Sequence, residues 1–299
     1  MYRATASLAL LLTPAAVAAQ DGSRIAVMSA FEPEWIALQE ELDDAEEEII
    51  NGNRFITGTL EGRDVVLFLS GVSIVNAAMT TQLALERFDV SGIVFSGIAG
   101  GVDPSLDIGD VVVPQQWGQY LEGVLAREGE DGTFAMPPWM STGFPNYGMM
   151  FTRDVSVMRD GLDAPEKRFW FDVDPDFLAV AQDVAAATEL DACATEEDCL
   201  SEPPEIVVGG TGVSGARFVD NADFRAFVFE TFEARVLDME SAAVAQVAYA
   251  NDVPFIAFRS LSDLAGGGDG ENEMSTFMDI ASDNSAKVVL AFLAALPEG

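Results

Sequence analysis

Residues 235–263 read RVLDMESAAVAQVAYANDVPFIAFRSLSD. Two short apolar runs, RVLDM (235–239) and PFIAFRSLSD (254–263), have the length and composition of buried strands. Between them lies a stretch of small apolar residues long enough for a helix. Strand, helix, strand in one span is the unit from which parallel sheets are built. Ala242, Ala243, Val244, Val247 and Ala248 leave the helix little polar face, yet Asp238 and Glu240 stand at its mouth. A carboxylate beside a buried helix needs a partner, because an unpaired buried charge is costly.

Working outward, RIAVMSAF (24–31) reads as a strand. EPEWIALQEELDDAEEEII (32–50) reads as a helix, with Pro33 at its first position and Trp35, Leu38 and Leu42 at helical spacing. NRFITGTLEGRDVVLFLSG (53–71) is two strands turned at Glu61-Gly62, and IVNAAMTTQLALERF (74–88) is an apolar-faced helix. GIVFSGIAGG (92–101) reads as a strand running into a glycine-rich turn, and GDVVVP (109–114) as the next strand. Residues 115–174 lose the rhythm; they are rich in aromatic residues, Met, Pro and Gly, and loops of that length are usually functional. The alternation resumes with a helix near 175–188, strand EIVVGG (205–210), a helix around 220–231 and a closing helix over 274–296. The expected fold is α/β: a single domain with a mixed, mostly parallel central sheet flanked by helices.

The chain of 299 residues has 50 acids against 15 bases, a net charge of −35. Such a surface repels phosphate backbones and anionic lipid, so neither nucleic acid nor membrane is an expected partner. Histidine is absent, which excludes a Ser-His-Asp triad and any His-ligated metal site. Proton transfer falls to Asp, Glu, Tyr, Lys or Cys. The glycines of GIAGG lack the G-x-G-x-x-G spacing, and no Gly-Lys-Ser/Thr follows them. No metal or cofactor is expected.

Arg3 followed by the apolar stretch Ala4–Leu12, with small residues at 16–19, has the form of a cleaved signal peptide over 1–19. The mature domain is then 20–299, periplasmic or secreted. Cys193 and Cys199 are the only cysteines, and an oxidising compartment favours a disulfide between them.

Ligands of such sheets bind at the carboxyl ends of the strands. Glu34, the glycines at 97–101, Glu240 and Asp263 fall there. Each acid also has a structural reading: Glu34 and Glu240 suit helix N-termini and Asp263 suits a turn. Arg24 and Arg259 fall in or beside strands, away from the carboxyl ends, which leaves Arg217 as the nearest cation.

Taken in order, SAFEPE, SGIAGGVDPSLDIGDVVV and VLDMESAAVAQVAYANDVPFIAFRSLSD resemble the nucleoside phosphorylase/nucleosidase superfamily, in particular the 5′-methylthioadenosine/S-adenosylhomocysteine nucleosidases. CLSEPPEIVVGGTGVSGARFVDNADFRAF and SDLAGGGDGENE resemble an exported branch that includes the plant bark storage proteins. The resemblance implies that Asp263 protonates a purine, that Glu34 activates water, and that Glu240 binds the ribose hydroxyls with Met239 against the sugar. Phe218 would stack on the base and the Val219 backbone would read its edge, with Ile98, Ala99 and Gly100 completing the substrate wall. It implies a small-molecule nucleoside substrate and a homodimer. Ile98 stands where those enzymes carry a small polar residue, and 115–174 forms a longer active-site insertion. Its Trp139, Phe144 and Tyr147 are either a lid or the core of that insertion. Hydrolysis is the expected reaction; phosphorolysis, or nucleoside binding and storage without catalysis, are the alternatives.

Overall fold

The computed structural model describes residues 22–194, 199–268 and 270–297. The signal segment expected at 1–19 lies outside them. Twelve strands make the main sheet: β1 (Arg24–Ser29), β2 (Asp43–Ile50), β3 (Asn53–Leu60), β4 (Arg63–Leu69), β5 (Val90–Gly101), β6 (Val111–Val113), β7 (Gln116–Gln119), β8 (Trp170–Asp172), β9 (Ile206–Val208), β10 (Thr211–Ser214), β11 (Ala234–Asp238) and β12 (Phe255–Asp263). Their order is β8-β7-β10-β11-β5-β1-β4-β3-β2, with β12 paired to both β5 and β6, and β6 to β9. The centre is parallel: β1 runs with β4 and β5, β5 with β12, and β10 with β7 and β11.

Six α-helices are described: α1 (Ile36–Glu40), α2 (Ile74–Arg87), α3 (Pro175–Ala185), α4 (Ala222–Phe232), α5 (Ser241–Asn251) and α6 (Met274–Ala295). α6 packs on β5 and β12 with α3 beside it; α5 packs on β7, β8 and β10 with α2 beside it. Burial of Val288, Val289, Phe292 and Leu293 fixes the inner face of α6. The small side chains of the opening stretch let α5 bury Ala242 through Ala245 and Ala248. α3 begins as its sequence dictates, with Pro175 in its first turn and the Asp174 carboxylate accepting from the Asp176 and Phe177 amides.

Three segments differ from expectation. The helix read over 32–50 is a 3-10 turn at Glu32–Glu34 followed by the five-residue α1; residues 43–50 are the edge strand β2. Asn51 and Gly52 both take positive φ (52° and 82°) and fold β2 back onto β3 as a hairpin. Pairing overrides the helix preference of the glutamates, whose exposed charges guard the edge against association. Nor is there a turn at 97–101: β5 runs through to Gly101, and none of its glycines has positive φ. Gly97 is instead a matter of space, since a Cβ there would lie 2.0 Å from Arg259 Nη1 and 2.6 Å from Glu34 Oε1. Finally, 115–174 contributes β7 and β8 to the main sheet and three two-stranded ribbons beyond it.

Cys193 and Cys199 form a disulfide.

Candidate active site

The site lies where β5 changes partners along one edge. Its register with β1 ends at Phe95, and its antiparallel register with β11 begins at Gly100. In between, the Ile98 amide donates to Glu34 Oε1 at 2.8 Å instead of to a strand. The carboxylate is fixed from its other side by the Ala30 and Phe31 amides, which donate to Oε2 at 2.6 and 3.3 Å. The short turn after β1 therefore serves to carry Glu34, buried at 2% exposure, into this gap.

The two acids at the mouth of α5 have separate tasks. Asp238 caps the helix: its Oδ1 accepts from the Glu240 and Ser241 amides and from Ser214 Oγ. Glu240 caps nothing within its own helix. Its Oε1 accepts at 2.7 Å from the amide of Ser73, a non-glycine residue held at φ 81°, ψ 158°. Such a backbone conformation costs about 1–3 kcal/mol and persists where its surroundings impose it, typically at sites.

A side chain that the sequence placed away from the site joins these acids. Arg259, fully buried in β12, puts Nε 2.8 Å from Asp238 Oδ2, Nη1 3.8 Å from Glu34 Oε1 and Nη2 3.7 Å from Glu240 Oε2, over the ring of Phe95 at 4.0 Å. The expectation that Arg259 lies remote is corrected: the strand stands where it was read, but the side chain crosses the Cβ-free surface of Gly97. A cation directly after the apolar run PFIAF, in a stretch with the length and composition of a buried strand, was the signal for it. Asp238, seen in the sequence but given no role, is its firmest partner. Nη1 and Nη2 have no hydrogen-bond acceptor among the described residues.

Asp263, at the end of β12, forms another wall. Its Oδ1 accepts from the Ala265 amide at 2.8 Å and from Asn272 Nδ2 at 3.2 Å, and its Oδ2 from Ser262 Oγ at 3.0 Å. Burial raises its pKa above the ordinary carboxylate range. Burial likewise raises that of Glu34, against the pull of Arg259, and lifts Glu240 to about 8, with Asp238 adding repulsion.

These raised values set a pH dependence. A carboxyl whose folded pKa lies above its unfolded one contributes stability in full below the unfolded value, near 4.5 for glutamate, and loses it as pH rises through the folded value, about 8 for Glu240. The melting temperature of the ligand-free protein is expected to fall across that window, and Glu240→Gln to flatten the fall. A melting temperature that climbs from pH 5 to 8 would contradict this.

The walls enclose a cavity of about 250 Å³. Glu34, Glu240 and Asp263 line it, as do Met239, Phe218 and Val219 and the β5 residues Ile98, Ala99 and Gly100. Every residue expected at the substrate thus meets at one cavity, together with Arg217, Ser262 and Met274. Phe218 is 55% exposed at its mouth. No residue of 115–174 lines it. Phe144 packs 4.5 Å from Phe169 and 5.0 Å from Phe232, within the aromatic cluster between the insertion and α4, while Tyr147, 39% exposed, lies on its rim 5.0 Å from Phe224. Trp139 is 83% exposed.

A family model described as the phosphorylase superfamily matches residues 24–294. The chain belongs to the phosphorylase superfamily. Among its members it is similar to 5′-methylthioadenosine/S-adenosylhomocysteine nucleosidase of Bacillus licheniformis, 30% identical over 272 residues that cover 90% of this chain and 98% of the relative. The structure of such a nucleosidase from Colwellia psychrerythraea, in complex with adenine, matches with a TM-score of 0.69 at 27% identity, covering 92% of this chain and 96% of that one. Futalosine hydrolase of Helicobacter pylori shares the fold at a TM-score of 0.67 and 22% identity, over 92% and 98% of the two chains. The phosphorylase superfamily fold therefore carries proteins named for different substrates, and the side chains of the cavity must decide among them.

Proposed function

We propose that this chain is an exported purine nucleosidase acting on a nucleoside or 5′-thionucleoside of the methylthioadenosine or adenosylhomocysteine type. The observation that carries the reading is one cavity with Asp263 on one wall and, on another, Glu34 and Glu240 gathered on the buried Arg259. The chain is an N-glycosidic hydrolase. As the C1′–N bond breaks, its electron pair goes to the base and positive charge grows on the ribose. Asp263, whose raised pKa favours the protonated form, gives its proton to the base. Glu240 accepts from the ribose hydroxyls and, once ionised, stabilises the sugar cation. Water held by Glu34 bonds to C1′ and passes a proton to that carboxylate. Phe218 stacks on the base, the Val219 backbone reads its edge, and Met239 packs on the sugar. Ile98 lines the cavity, and its amide is spent on Glu34.

Arg259 in the site does not turn it toward phosphate. Its single charge is matched by Asp238, 2.8 Å from Nε, with Glu34 and Glu240 also beside it, so little of it is left for a phosphate dianion. Neutral water meets no such barrier.

The signal-like N-terminus and the Cys193–Cys199 disulfide support export. No helix among the described residues is long and apolar enough to cross a membrane. Val75 and Met79, exposed one turn apart on α2 next to Val72 of the cavity, support the homodimer reading.

The test is incubation with a panel that includes 5′-methylthioadenosine, adenosylhomocysteine, adenosine and inosine, scored for free base. Release of base from at least one supports the enzyme. Binding without release from any would return the chain to a storage or binding role.

A further inference from the structure

The segment between β12 and α6, LAGGGDGENE, is long and rich in glycine. Its Asn272 reaches back into the site. The Met274 amide donates to Asn272 Oδ1 at 3.0 Å, which fixes the orientation of the side-chain amide. The other end, Nδ2, then faces two carboxylates from different segments: Asp263 Oδ1 at 3.2 Å and Asp220 Oδ1 at 3.3 Å. Asp220 directly follows Phe218 and Val219, which line the cavity. The same two segments are joined by the Asn221 amide donating to Ala265 O at 3.1 Å.

A carboxyl oxygen has two in-plane lone pairs. On Asp263, Oδ1 receives two donors, the Ala265 amide and Asn272 Nδ2, while Oδ2 receives one, Ser262 Oγ. Oδ1 is thereby filled, and the acidic proton is left to Oδ2. From this geometry we propose that Asn272 is a positioning residue: it assigns the transferable proton to Oδ2 of Asp263 and holds the Phe218–Val219 wall against that acid. The proposal rests on the reading of Asp263 as the acid.

Asn272 touches no reacting atom, so its effect must pass through Asp263. Its N–H bond favours the ionised carboxylate. So do those from Ala265 and Ser262, while burial and the charge of Asp220 oppose ionisation. Without Asn272 the acid should keep its proton to higher pH, and both oxygens should compete for it.

The experiment uses 5′-methylthioadenosine with the parent, Asn272→Ala, Asn272→Gln and Asp263→Asn, and records kcat, KM, the pH profile of kcat/KM and the melting temperature. Asn272→Ala is expected to lose about tenfold in kcat, the scale of one charge-assisted hydrogen bond, with little change in KM and the basic limb moved to higher pH. Asn272→Gln, which keeps the donor on a longer arm, should fall between it and the parent. An inactive Asp263→Asn beside an Asn272→Ala of unchanged kcat and unmoved limb overturns the proposal alone. A loss of kcat with an unmoved limb and a lower melting temperature makes Asn272 a mere tether and overturns it too. Parental turnover by Asp263→Asn overturns the acid assignment beneath it.

Discussion

Asp263→Asn is expected to lower turnover of a purine nucleoside roughly 10²–10⁴-fold, the usual contribution of a general acid, with a melting temperature near that of the parent. The chain has no histidine to take over the proton, and the other carboxyls of the cavity, Glu34, Asp238 and Glu240, are held by backbone amides and by Arg259. The fold should tolerate the change, because the side-chain oxygen of asparagine can still accept from the Ala265 amide that now bonds Oδ1. Steady-state release of free base, compared with thermal unfolding of the same samples, checks both halves. Near-parental release would remove Asp263 from its role.

The second large effect is on stability. Arg259→Met removes the cation on which Asp238, Glu34 and Glu240 converge, all of them buried. Breaking a buried ion pair from one side costs about 3–5 kcal/mol, since the remaining charge is left uncompensated. The cost is expected in full at pH 7.5 and in part at pH 5, where the stranded carboxylates can take up protons. Urea unfolding at the two pH values measures it. An equal midpoint for parent and variant at pH 7.5 would mean that the cluster does not depend on its guanidinium.

Much of the frame was legible from residues 235–263. The strand, the buried helix and the second strand stand where hydrophobic length and composition put them, and Asp263 and Glu240 follow from their places at strand ends. What was not legible came from contacts between distant segments. Arg259 belongs to the site because Gly97, far away in sequence, leaves room for it. The glycines at 97–101 looked like a turn because local conformation and close packing both select glycine, and a single sequence does not tell them apart. Residues 43–50 looked helical because glutamate favours helix locally, while pairing with β3 is a tertiary matter. The Asn51-Gly52 step was the local clue to that hairpin. Asn272 gave no sign at all, since a loop residue between glycines declares nothing about the carboxylates it will meet.

Water, not phosphate, is assigned here as the group that attacks the ribose. The most direct measurement is the sugar product formed from a nucleoside that the chain turns over, with and without inorganic phosphate in the buffer. The same rate of base release is expected in both, with free sugar as the product. A phosphate requirement with sugar 1-phosphate as the product would contradict it and leave Glu34 without its water.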